Sequence, residues 1–175
     1  LGEQRIKETD ELLYINNMYS IALSDNYSDQ EILDRFMESK LPETALGDIY
    51  KIASSIESPL AIRSSSLLED SQYQPFAGIY NTYMIPFRKD DPERMFSMMR
   101  SAIKAVYASA YYADSKAYMQ ATKNVIDEEK MAIVIQEVVG STYGDKFYPT
   151  ISGVGRSIDY YPLEPGVPED GTVSL

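Results

Sequence analysis

At Ser58-Pro59 a helical periodicity stops and an apolar run of strand length begins. Proline cannot continue the helix, and it pushes the residue before it into an extended conformation. The junction therefore fixes a helix-to-strand crossing in the middle of the chain. Leu60-Ala61-Ile62 then delivers one arginine, Arg63, and three serines, Ser64 to Ser66, to the C-terminal end of the strand. Arginine offers a permanently charged planar fork, and small hydroxyl residues add donors in a tight turn, which is the chemistry of a phosphate site. An ordinary strand exit, with Arg63 paired to a surface carboxylate, accounts for the same residues at this point.

Before the junction, Ser28-Asp-Gln-Glu31 reads as a capping box, and Ile32, Leu33, Phe36 and Met37 repeat at helical spacing up to Leu41-Pro42. A further helix from about Glu43 sets Leu46, Ile49, Ala53 and Ile56 on one face. Residues 3 to 20 carry only a weak helical pattern. After the junction, Ser64 to Pro75 lacks a clean period and is expected to be a long loop of the kind that covers ligands. The β-branched and aromatic segment Ile79 to Ile85 is expected to be a strand closed by Pro86. Asp91-Pro92 opens the longest helix, with Met95, Met98, Met99, Ala102, Val106, Ala110 and Ala113 as its core face. Arg94, Arg100 and Lys104 are expected on its other face, and a break near Asp114-Ser115 would divide it in two.

Asp127 to Lys130 is a charged turn, and Met131-Ala-Ile-Val-Ile135 is apolar at every position, the pattern of a strand buried on both faces. Gly140 to Gly144 reads as a loop, with strands expected at 147–154 and 157–161 and an irregular tail over 162–171, where three prolines and two glycines fall. Helices and strands mix without regular alternation, so the class is α+β. The expected division is a helical segment over 1–58, an α+β core over 59–161 and a tail over 162–175.

The 175 residues suffice for one domain with a sizeable core. The 27 acidic against 16 basic residues give a net charge of -11, which opposes binding to nucleic acid or anionic membrane and requires a local positive pocket for any anionic ligand. The chain has neither cysteine nor histidine, which removes thiolate chemistry, imidazole bases and a phosphohistidine of its own. No run approaches the roughly 18 apolar residues of a membrane span, and Leu1-Gly-Glu-Gln-Arg does not read as a signal peptide. A cytoplasmic location is expected. The start without methionine and the apolar finish Thr172-Val-Ser-Leu175 suggest an excised portion of a longer protein.

Three further residues fit a nucleotide site. Gly78 lets backbone approach a ligand closely or take positive φ, although a turn glycine is the commoner explanation. Thr82, four positions on, would share its side if both lay on one strand. Gln136, at the end of an apolar strand, offers the donor and acceptor pair that an adenine edge requires, or simply satisfies neighbouring backbone. Glu69-Asp70 can orient Arg63 or merely be solvated.

Taken together, residues 61–70 (Ala-Ile-Arg-Ser-Ser-Ser-Leu-Leu-Glu-Asp), 76–82 (Phe-Ala-Gly-Ile-Tyr-Asn-Thr), 131–136 (Met-Ala-Ile-Val-Ile-Gln) and Ile151-Ser-Gly-Val154 resemble the ATP-binding domain of the phosphoenolpyruvate synthase and pyruvate phosphate dikinase family. The resemblance implies an ATP-grasp-like mixed sheet with packed helices, present as an incomplete portion. It implies an ATP-dependent phosphotransferase in which ATP, Mg2+ and a histidine on a separate swivelling domain yield phosphohistidine, AMP and phosphate or a phosphorylated acceptor. Arg63, with Ser64 and Ser65, would contact the phosphates; Gly78 and Thr82 would lie over them; Gln136 would read the adenine. No metal ligand is assigned within the chain. The family's glycine-rich lysine segment has no counterpart before Arg63, and Gly155-Arg156 stands where the family has Phe-Thr. The chain by itself is therefore expected to be inactive. A module that kept the fold for nucleotide sensing or protein interaction is the alternative.

Overall fold

The computed structural model describes residues 11–66, 78–121 and 131–175. These form two compact units, one ending at Val138 and the other spanning Val139–Leu175. In the first unit, residues 11–15 are helical and lead to a short helix α1 (Tyr19–Ala22). Asn16 ties this start to a later connection: its amide donates to Lys40 O at 2.9 Å and accepts from Lys40 N at 2.8 Å. Helix α2 (Asp29–Glu38) opens on the expected capping box, with Ser28 and Glu31 satisfying each other's backbone N–H groups. Helix α3 (Glu43–Ser55) ends before Ser58-Pro59, as that junction requires.

Strand β1 (Leu60–Ser66) is the centre of a three-stranded sheet between β2 (Tyr83–Ile85) and β3 (Met131–Glu137). The β1–β3 ladder runs unbroken from Leu60↔Glu137 to Ser66↔Met131, and Val138 N donates to Pro59 O beyond its end. The class is α+β as expected. Every described ladder is antiparallel, and no parallel pair of a mixed sheet occurs among the described residues. Strand β1 includes Ser64, Ser65 and Ser66, where a polar loop was expected to begin, because a serine side chain leaves its backbone free to pair. The rest of that expected loop, Leu67 to Pro75 with Glu69 and Asp70, lies outside the described residues, as do Asp127–Lys130 and the first residues of the N-terminal pattern. The strand expected over Ile79–Ile85 is only Tyr83–Ile85; Gly78 to Tyr80 form a turn, with Gly78 at φ +84°.

Helix α4 (Pro92–Ser109) is the keystone of the unit. Asp91 caps it through Arg94 N at 2.9 Å, and α2, α3 and the sheet all pack on it. Its second half, Ala102 to Ser109, is buried at every position, the signature of a helix covered on all sides. Met95 and Met99 are fully buried, as the methionine stripe predicts. Lys104 is buried as well, contrary to its expected place on a solvent face: no such face survives at that level. Its ammonium donates to Met37 O at 2.9 Å and Ser39 O at 2.6 Å, carbonyls left without partners at the end of α2. Burial, and after it the Arg100 charge, pulls the Lys104 ammonium below the ordinary lysine range. Arg100 lies over the Phe96 ring, 5.2 Å from its centroid.

The break between helices falls at Ala110–Tyr112, a few residues before the expected Asp114-Ser115, and α5 (Ala113–Ala121) follows. Asp29 fixes the break by accepting from Ala113 N at 2.8 Å, while Tyr111 stacks on Phe36 with ring centroids 5.7 Å apart. Burial, with the Tyr83 and Asp29 charges next, pushes the Tyr112 phenol up to about 12. Lys116 repeats the theme of Lys104, donating to Ser24 O.

The second unit holds two hairpins. Strands β4 (Ser141–Tyr143) and β5 (Lys146–Tyr148) pair around Gly144, which takes φ +65°, and Tyr143 stacks on Tyr148 at 4.5 Å. Strand β6 (Val154–Arg156) pairs with β7 (Thr172–Ser174) after a 3₁₀ turn at Pro168–Asp170. The loop expected at Gly140–Gly144 is thus half of a hairpin, the strand expected over 147–154 is only the end of β5 and the start of β6, residues 157–161 form no strand, and β7 falls inside the tail expected to be irregular over 162–175. Short hairpins carry too few residues for a period to show. Among the described residues no helix is long and apolar enough to cross a membrane.

Replacing Lys104 by Met keeps the apolar stem but strands two carbonyls at the end of α2. Chemical denaturation should show a loss of about 1–3 kcal/mol; an unchanged midpoint would mean that the ammonium contributes nothing there.

Candidate functional site

The sheet has two unlike faces, and the alternation along β1 decides which side chain belongs to which. Leu60 and Ile62, with their partners Ile85, Tyr83 and Ile135, point to the helices, and all belong to the hydrophobic core or pack against it. Ala61, Arg63, Met84, Val134 and Gln136 have the opposite parity, and none is part of that core. Of the residues singled out in the sequence, Arg63, Ser65 and Gln136 have this parity.

Arg63 sits on the central strand, exposed, and makes no ion pair among the described residues. The surface carboxylate of the simpler explanation is not found among them. The ladder pairs Arg63 with Val134 on one side. On the other, extending the Ile62↔Tyr83 pair by one residue sets Thr82 alongside it. Thr82 was expected on a strand shared with Gly78; it lies instead one residue before β2. Gln136 is exposed one row away, opposite Ala61, and it is not satisfied by neighbouring backbone among the described residues. Ser65 shares the parity of Arg63. Ser64 and Ser66 face the helices instead, Ser66 fully buried, so Ser64 does not stand beside Arg63 as the run of serines suggested.

Gly78 is exposed and needs its positive φ for the turn, and a Cβ there would meet nothing within 4 Å. The residues after it hold it in place. Tyr80 is buried, and Asn81 N donates to Ser109 Oγ at 3.3 Å. Ser109 in turn donates to Val106 O at 2.7 Å, and its carbonyl accepts from Ser115 Oγ at 2.7 Å. This small buried chain of hydroxyls fastens the Gly78–Thr82 segment to the end of α4. Sequence reasoning misses it, because Ser109 reads there as one more small residue on a helix. Its only signal is a serine on the buried side of an otherwise apolar helix.

Arg63 and Gln136 thus put one guanidinium and one carboxamide on the outer side of a single sheet, and Thr82 stands one residue before its β2 strand. A cation beside hydroxyls binds phosphate oxygens, and a carboxamide reads a base edge. Residues 4–174 match the family described as pyruvate phosphate dikinase, AMP/ATP-binding domain. The chain belongs to that family. Among curated proteins, the "Uncharacterized phosphotransferase YvkC" of Bacillus subtilis (strain 168) is 27% identical over 141 residues, which cover 81% of this chain. The aligned part is 14% of that protein's length, so this pyruvate phosphate dikinase-family chain corresponds to a small part of its relative.

Ser109→Ala removes the acceptor for Asn81 N. Hydrogen exchange of the Asn81 amide should speed up while that of the β1–β3 ladder stays the same, with about 1 kcal/mol of stability lost. Equal exchange in both proteins would show that Ser109 does not hold the segment.

Proposed function

We propose that the outer face of the β2–β1–β3 sheet is part of the ATP site of a phosphotransferase akin to phosphoenolpyruvate synthase and pyruvate phosphate dikinase. What supports this reading is the ladder that sets Arg63 and Gln136 on one face, with Thr82 just before β2, in a chain of the AMP/ATP-binding family. Arg63 would hold phosphate oxygens with its fork, and Thr82 and Ser65 would add hydroxyl donors. The glycine turn at Gly78 would bring unobstructed backbone towards the phosphates. Gln136 would read the adenine edge.

In this reading Mg2+ would be held by groups outside the chain and would supply charge neutralisation at the phosphates. The acceptor is a histidine on a separate swivelling domain: its ring nitrogen forms the bond to the β-phosphorus as the bond from that phosphorus to the AMP oxygen breaks, and AMP leaves. Water then cleaves the histidine-bound diphosphate, releasing phosphate, and the phosphohistidine passes its phosphoryl group to the final acceptor. The contribution of Arg63 is charge stabilisation, strongest as charge moves onto the departing oxygen.

In the full-length protein, Arg63→Ala should lower ATP-dependent AMP formation by about a hundredfold or more with the melting temperature unchanged. Wild-type turnover in that variant would remove Arg63 from the reaction.

A further inference from the structure

Arg63 is held by strands on both sides, but the segment from Gly78 to Thr82 belongs to none of the described ladders: β2 begins only at Tyr83. Two consecutive residues in its middle turn inward instead. Tyr80 is buried in the hydrophobic core, and Asn81 N donates to Ser109 Oγ at 3.3 Å. Gly78 before them and Thr82 after them are exposed. The seating of both therefore depends on what holds Tyr80 and Asn81.

Ser109 is 1% exposed, at the last position of α4. A hydroxyl buried so completely costs free energy unless its hydrogen bonds are made inside. Its single hydrogen goes to Val106 O at 2.7 Å, so towards Asn81 it can serve only as an acceptor, the role that a backbone N–H requires. The helix end that carries it is closed in turn by Ser115, equally buried, whose hydroxyl donates to Ser109 O at 2.7 Å. Ser115 thus belongs to the same buried chain without touching Asn81. An alanine at 109 would keep the packing and leave the Asn81 contact unmade.

Hydrogen bonds from a neutral hydroxyl and from main chain to a phosphate oxygen weaken steeply with distance and angle, and a shift of about 1 Å in a positioning group can cost about a hundredfold in rate. We infer that Ser109 is a positioning residue for the phosphate half of the site: by holding Asn81 N it keeps the Thr82 hydroxyl and the Gly78 turn where phosphate oxygens meet them. It contributes to affinity for the triphosphate and not to recognition of the base. This rests on the reading of Gly78 and Thr82 as phosphate contacts.

A double-mutant cycle in the full-length protein tests it, with Mg2+-ATP and Mg2+-tripolyphosphate titrated calorimetrically into the wild type, Ser109→Ala, Thr82→Val, the double variant and Ser115→Ala. Ser109→Ala should weaken both ligands by the same factor, about threefold to tenfold. In the Thr82→Val background the same change should cost no more than about twofold, because most of what Ser109 positions is already gone. Ser115→Ala removes a buried hydrogen bond from the same chain and should leave both affinities within about twofold of wild type. Equal losses in Ser109→Ala and Ser115→Ala, or a Ser109→Ala loss undiminished in the Thr82→Val background, would overturn the proposal, since a general loosening of the core gives that result. Unchanged affinities in Ser109→Ala with a loss in Thr82→Val would overturn it while leaving Thr82 as a phosphate contact. Unchanged affinities in both would overturn it together with the reading of Thr82.

Discussion

The antiparallel ladder between β1 and β3 governs the first unit. Its register, Leu60↔Glu137 through Ser66↔Met131, has no slack. A slip of β1 by one residue would turn Leu60 and Ile62 outward and bury Arg63 against the helices. Burying an unpaired guanidinium costs several kcal/mol, and exposing Leu60 and Ile62 forfeits about 1.5–3 kcal/mol each. Fold and site are thus determined by the same alternation: the residues that make the core on one side leave an arginine and an amide on the other.

The sheet needs something to pack on, and α4 supplies it. Because α4 is enclosed by α2, α3 and the sheet, the polar groups brought into its surroundings require internal partners. Lys104 closes the end of α2, Asp29 opens α5, and Ser109 holds Asn81. Each contact spans elements far apart in the chain. They convert a bundle that apolar burial alone would allow to slide into one with a defined seating, and through Asn81 that seating reaches the segment bearing Gly78 and Thr82.

Local signals are legible in the sequence, and long-range ones are not. The Ser28–Glu31 capping box, the Asp91-Pro92 start and the stop at Pro59 are chemistry within three or four residues, and the structure has all of them where expected. The run Met131–Ile135 has the pattern of a strand buried on both faces, yet only Met131 is buried and the next four are half-buried. Apolar residues at every position do not tell a strand covered on both faces from one left half-exposed. Gly78 and Thr82 share no strand: the first lies in a turn and the second just before β2. Lys104 is hidden for the same reason, since a lysine at helical spacing from Arg100 reads as a solvent face until the covering helices are known. The family resemblance agrees with the comparison, as four separated segments in order carry more information than any one of them.

If the outer face of this sheet, and not the inner one, meets the nucleotide, neighbouring residues on the same strands must respond differently to it. Methyl-resolved NMR of the full-length protein titrated with Mg2+-ATP addresses this directly. Binding on the outer face requires the methyl signals of Ala61, Met84, Ala132 and Val134 to shift with saturable concentration dependence while those of Ile62, Ile85, Ile133 and Ile135 hold still. Shifts confined to the isoleucine set, or equal in both, would contradict it.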